Sequence, residues 1–296
     1  MISIKRSTLT TGQSPQVTKG TASIIFFYYG DSEQITLAQE TMKLKRAMKG
    51  YNFKVLLKHN VVPSILDIRE GDEKEADIKD VPTADNLVKY LIELGKAGYA
   101  VDMFIMSHGA PGGFVTSKGQ HGTVDMFTAS EIRQRLGSAQ TGLSQLPIRM
   151  IWSTLCYGAS LNEAWTSVGA KVVGGSRDVN FYPTQFRGFT EEWNKGDVAY
   201  GTALARSDTP ASRTATQIYI STIEAPQTRE RWGKCPVGRT VLGKNNCSDD
   251  YFLKRWGIDP TIVKGAANGR EIMNLASKKF VAGNQSLTKN SMPDWN

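Results

Sequence analysis

Val101-Asp-Met-Phe-Ile-Met-Ser-His-Gly109 and Ile148-Arg-Met-Ile-Trp-Ser-Thr-Leu-Cys-Tyr-Gly158 decide how this chain folds. Each opens as a short apolar run without helical periodicity, which predicts strands over 101–106 and 148–152 buried on both faces. Each then runs out into a reactive side chain with a glycine just beyond it: His108 before Gly109, and Cys156 two residues before Gly158. Parallel strands deliver the residues after them to one edge of their sheet, where ligand and catalytic sites of open α/β sheets lie. If the two strands are neighbours, His108 and Cys156 meet there.

The flanking sequence supplies the rest of such a sheet. Ser23-Ile-Ile-Phe-Phe-Tyr-Tyr29 and Asn52-Phe-Lys-Val-Leu-Leu57 read as strands. Between them, residues 33–49 place Leu37, Leu44 and Met48 on a helical stripe. A charged, solvated stretch spans 69–77. Thr83 opens a helix carrying Leu87, Val88, Leu91 and Ile92 on one face. Residues 111–127 are Gly-rich and predict a loop or small hairpin. Thr128-Ala-Ser-Glu131 and Ser160-Leu-Asn-Glu163 have the form of capping boxes. Lys171-Val-Val173 is a fifth strand, segments 184–194 and 197–206 are helical with Asp197 as N-cap, and Gln217-Ile-Tyr-Ile220 is a sixth strand. This alternation predicts an α/β three-layer sandwich, a mainly parallel sheet with helices on both faces. Its expected boundaries are a leader over 1–20, a main domain over 21–223, and a C-terminal extension of unknown role over 224–296 with one helix near 270–282.

Composition narrows the function classes. At 296 residues the chain can bury a sizeable core, and no apolar run is long enough to span a bilayer. The net charge of +8 is dispersed. Without a zinc finger, an RNP signature or a basic helix, it reads as surface basicity and not as a nucleic-acid interface. The N-terminus lacks the pattern of a signal peptide. Cys235 and Cys247 would suit a disulfide-closed hairpin outside the cytosol, a lean towards a secreted or periplasmic protein; two unrelated reduced thiols fit equally. Either way Cys156 stands alone.

Cysteine chemistry makes sense of the strand ends. The thiolate is the nucleophile, and a neighbouring imidazole or a helix N-terminus favours it. Imidazole is also suited to protonating a leaving amine. Gly109 permits close approach of backbone, so its N–H and that of Cys156 can form an oxyanion hole. His121 is a rival base but lies after no strand. Zinc held by His108, His121 and Cys156 would lack an acidic partner at a recognisable spacing. A serine nucleophile would want a G-x-S-x-G elbow, which is absent. No cofactor motif is present, and a structural or activating Ca²⁺ is not readable from the sequence.

A hydrophobic strand ending in His-Gly, with a later one ending in Cys-x-Gly, resembles the clan CD cysteine peptidases. These include caspases, legumain, gingipains, clostripain, separase and the bacterial CHAT-domain proteins. The interval of 156 − 108 = 48 residues is close to the roughly 50 of caspases. Asp125-Met-Phe-Thr-Ala-Ser-Glu-Ile132 is similar to an element that bacterial members place between His and Cys. Gly169 to Ser176 is similar to their next strand, which borders the substrate cleft, and Phe186 to Leu204 to their next helix pair. The resemblance covers about residues 20–222. It implies a caspase-like sandwich, a polypeptide substrate, and a Cys156–His108 dyad working through a thioester acyl-enzyme. Asp31, Thr154 and Ser176 fall at substrate-binding positions, and an Asp at 31 would suit a basic P1 residue. Leu155 and Thr154 depart from the usual pattern, which leaves room for a catalytically silent binding or scaffold module.

Overall fold

The computed structural model describes residues 12–28, 52–57, 82–118, 123–180, 184–207, 258–265, 272, 275–276 and 278–295. Its strands are β1 (Thr21–Tyr28), β2 (Asn52–Leu57), β3 (Ala100–Ser107), β4 (Gly109–Ala110), β5 (Gly113–Lys118), β6 (Thr123–Thr128), β7 (Ile148–Ser153), β8 (Val172–Ser176) and β9 (Lys279–Gly283). Among the described residues a six-stranded sheet runs in the order β2-β1-β3-β7-β8-β9. Its first five strands are parallel, and β9 pairs antiparallel with β8. The helices are α1 (Ala84–Lys96), α2 (Ala129–Leu136), α3 (Asn162–Ser167), α4 (Thr184–Trp193), α5 (Tyr200–Ser207) and α6 (Pro260–Gly265).

Both faces of the sheet are covered, which is why its central strands are apolar throughout. On one face, Val101, Met103 and Ile105 of β3 share a core with Leu87 and Leu91 of α1, Ile132 and Leu136 of α2, and Ala164 and Trp165 of α3. On the other, Phe104 of β3 and Trp152 of β7 meet Phe189 of α4 at 6.4 and 5.7 Å between ring centroids. Phe189 in turn packs on Trp193 and Tyr200. Such ring pairs add about 0.5–1.5 kcal/mol each beyond their burial. The expected α/β sandwich, mainly parallel with helices on both faces, is the observed one.

A polar cluster is buried where β3 and β7 begin. The Arg149 guanidinium donates to both oxygens of Asp102 at 2.7 and 2.5 Å, with the side chains 2% and 0% exposed. Trp193 donates its indole N–H to Asp102 at 3.3 Å, and Arg149 also donates to the carbonyls of Ser291, at 3.2 Å, and Lys289. The register shifts between Val101 and Asp102, a bulge opposite Arg149.

Local expectations fare unevenly. Thr83 caps α1 by accepting from the Asn86 N–H at 3.0 Å, and Thr128–Glu131 forms a complete capping box. Ser160 does not cap a helix. Its hydroxyl donates to Tyr157 O and accepts from Gly112 N–H, so a 3-10 turn over Gly158–Leu161 comes first and α3 starts at Asn162. Nor does Asp197 cap α5. That helix starts at Tyr200, where the Tyr200 and Gly201 N–H groups donate to Leu287 O and Gln285 O. In the stretch expected as a loop or small hairpin, Gly113–Lys118 and Thr123–Thr128 are two strands of a three-stranded antiparallel sheet, β4-β5-β6.

The helix expected near 270–282 does not run through: Lys279–Gly283 is β9, paired residue for residue with Val172–Ser176. Backbone pairing along the open side of β8 outweighs any local helical preference. Part of the C-terminal extension thus belongs to the main sheet. The expected helix at 33–49, the charged stretch 69–77, the strand 217–220, Asp31, His121, Cys235 and Cys247 lie outside the described residues.

Candidate active site

Register brings the two strand ends together. Ile105 of β3 lies opposite Ser153 of β7, and Thr154 N–H extends the pairing by donating to Ile105 O at 2.9 Å. His108 and Cys156 each stand three residues beyond that pair. Their backbones touch through Gly109, where a Cβ would fall 2.1 Å from Cys156 O and 3.1 Å from Cys156 N. Only glycine lets the two chains come this close. His108 itself is exposed, and its carbonyl accepts from Val115 N–H at 2.9 Å, which ties it to the β4-β5-β6 sheet. Ser160 bridges the two ends by accepting from Gly112 N–H at 2.8 Å while donating to Tyr157 O at 2.6 Å.

Beyond β7 the chain turns sharply. Leu155 is buried in the core shared with α1–α3, and Cys156 comes next, partly exposed. Tyr157 takes the left-handed conformation, φ 55° and ψ 20°, which an ordinary side chain adopts at a cost. The end of β8 walls the turn in. Tyr157 N–H donates to Asp178 O at 2.5 Å, and Gly175 packs so tightly on Gly158 that a Cβ there would lie 2.3 Å from Gly158 C. Asn180 engages the sulfur twice: its N–H donates to Cys156 Sγ at 3.3 Å, and the thiol donates to its carbonyl at 3.5 Å.

Burial pushes the Cys156 thiol above its ordinary range, opposed by the N–H groups of Asn180, Gly109 and Cys156 itself and by the charge of Lys279. The expectation that a helix N-terminus favours the thiolate gives way here. The next α-helix starts six residues on, so individual N–H donors and one ammonium take that part. Burial, with the nearby Asp178 and Cys156, also pushes the Tyr157 phenol up to about 12.

Thr154 is buried beside Leu155, and Ser176 is buried at the last position of β8. Sequence reasoning missed Asp178, Asn180 and Lys279. Asp178 is 6% exposed, and burial raises its carboxyl above the usual range. Among the described residues Asp178 Oδ2, Asn180 Nδ2 and Ser176 Oγ are buried with no hydrogen-bond partner. Buried polar atoms in folded proteins are rarely left so. The acidic residue after the strand was in plain view, but only the tertiary path of residues 176–180 brings it against Tyr157. Among the described residues no group of three or more His, Cys, Asp or Glu side chains is placed to hold a metal ion, and no helix is long and apolar enough to cross a membrane.

No family model matches the chain, and no curated protein matches it. Among solved structures it is similar to the crystal structure of caspase-1 from Spodoptera frugiperda. The TM-score is 0.36 at 10% identity, covering 70% of this chain and 81% of that one. A likeness this distant carries no weight about activity, so the case for function rests on the residues.

Proposed function

We propose that the chain is a caspase-like cysteine endopeptidase in which Cys156 attacks the scissile carbonyl and His108 protonates the leaving amine. The observation that carries this reading is the register: a cysteine and a histidine three residues beyond one cross-strand pair, their backbones in contact at Gly109. The thioester acyl-enzyme then yields to water with the imidazole as base. The N–H groups of Gly109 and Cys156, which bear on the sulfur, supply donors for the oxyanion. Replacing Cys156 with Ala is expected to abolish cleavage of a mixed peptide pool, read by mass spectrometry, with the fold intact by circular dichroism. Persistent cleavage would sink the assignment.

The substrate we favour has a basic P1 residue. Asp178 Oδ2 supports this, since a substrate ammonium or guanidinium would supply the partner that this buried oxygen lacks among the described residues. Asp31, the acid that the sequence suggests for this role, lies outside the described residues. Thr154 and Ser176 remain substrate-binding proposals.

A second reading, a catalytically silent caspase-like module, has one observation in its favour. The thiol is tied to Asn180 on both its donor and acceptor sides and is raised by burial. Absence of cleavage at every P1 residue, before and after limited proteolysis and with or without Ca²⁺, would decide for it.

A further inference from the structure

Lys279 opens β9, the strand that the C-terminal segment adds to the sheet, and it pairs in register with Ser176. Its side chain runs inward and is 7% exposed. The ammonium donates to Ser153 O at 2.5 Å and lies over the Trp152 ring, 4.8 Å from its centroid. Ser153 is the last residue of β7, three before the nucleophile. Strand pairing, a hydrogen bond and a ring face therefore fix one positive charge at the carboxyl end of β7. A charge so placed costs several kcal/mol to desolvate, which the carbonyl and the indole face offset only in part. The same low-dielectric surroundings magnify its pull on any negative charge nearby.

We propose that Lys279 is a positioning residue for Cys156, its buried ammonium favouring the thiolate and the oxyanion that forms from it. The inference rests on Cys156 being the reactive thiol, but not on peptide cleavage. No bond to Lys279 forms or breaks, and its proton stays in place through the reaction. Lys279 is also among the groups that draw the Cys156 thiol down against the effect of burial. A preorganised charge of this kind needs no reorientation when the sulfur ionises. It also gives the C-terminal segment a part in the site, reached through β9 and not through contact with substrate.

The test is alkylation of Cys156 by iodoacetamide in the full chain from pH 5 to 10, monitored on the Cys156 peptide by mass spectrometry. Three variants are compared: Lys279→Met, which keeps the stem; Lys279→Gln, which keeps a donor for Ser153 O without the charge; and Lys279→Arg, which keeps the charge. The neutral variants are expected to move the alkylation profile to higher pH and to slow the reaction at pH 7 by roughly fivefold or more, because the thiolate is the reacting form. Lys279→Arg is expected to stay within about twofold of the parent, since it retains the cation. A folded neutral variant whose profile superimposes on the parent's overturns the proposal. Should neither neutral variant fold, the Arg variant decides: a folded Lys279→Arg chain slowed more than about fivefold overturns it, because charge would not be the operative property. Alkylation requires no cleavage. A parent that cuts nothing would defeat the peptidase reading and leave this comparison intact, and an unshifted profile in a chain that cuts would do the reverse.

Discussion

Strands β3 and β7 lie side by side, and their two ends treat polar groups in opposite ways. Where they begin, Asp102 and Arg149 form a buried pair in which the guanidinium grips both carboxylate oxygens, with Trp193 and two C-terminal carbonyls as further partners. Where they end, the neighbouring segment 176–180 carries three buried polar atoms with no partner among the described residues. A satisfied network fixes one arrangement of the chain, and a partly satisfied one is costly unless a ligand completes it. Polar burial alone therefore does not mark a functional end of this sheet, nor does a single unpartnered atom, since Ser23 Oγ is also buried without a partner among the described residues, in register with Asp102.

Breaking the satisfied end should cost the most stability and the least chemistry. Arg149→Met strands the Asp102 carboxylate, an expected loss of about 3–5 kcal/mol, as for other buried pairs cut on one side. In thermal melts this is a drop of roughly 5–10 °C. Well below that melt, Cys156 alkylation should stay within about twofold of the parent, because distant sites contribute independently. A changed alkylation rate would show that the two ends are one coupled system.

Gly109→Ala strikes the join between the strand ends. Its Cβ would sit 2.1 Å from Cys156 O, so the backbones must part. A displacement of about 1 Å in a catalytic group can cost on the order of a hundredfold, and that is the loss expected in kcat/KM for peptide cleavage. Activity within about threefold of the parent would place the reacting geometry elsewhere.

Asp178→Asn should act in the opposite direction from Arg149→Met. Burial raises the Asp178 carboxyl, so the folded chain binds that proton more readily than the unfolded one. The stability this confers is present below the ordinary carboxylate range and is lost as pH rises through the raised value. At pH 7 the Asn variant is therefore expected to be more stable by about 1 kcal/mol in urea unfolding, the gain shrinking as pH falls through the raised value and vanishing below about pH 4. Its preference for a basic P1 residue should fall. A variant less stable at pH 7 would mean that the carboxylate is paired in the folded protein.

Where the candidate site falls in the fold was legible in the sequence. An apolar run ending in His-Gly and another ending in Cys-x-Gly identify strand ends, because few residue patterns put a reactive side chain and a close-approach glycine together. Thr83 and Thr128 announced their helices, since a cap is a bond to a neighbour three residues away. Ser160 and Asp197 misled for the matching reason: their local patterns suit a cap, yet the backbone groups concerned are taken by distant segments, Gly112 in one case and Leu287 and Gln285 in the other. β9 escaped notice because an edge strand of five residues owes its form to the strand beside it.

The sequence by itself determined the α/β alternation, the strands that carry His108 and Cys156, and the glycine on which their approach depends, all matters of periodicity and side-chain volume. Only the tertiary structure decided what surrounds the sulfur. Asn180 bonds the thiol from 24 residues further along the chain, and the charge of Lys279 acts on it from 123 residues further along. Contacts of that span leave no periodic trace in sequence, because strand pairing and burial, not local propensity, create them.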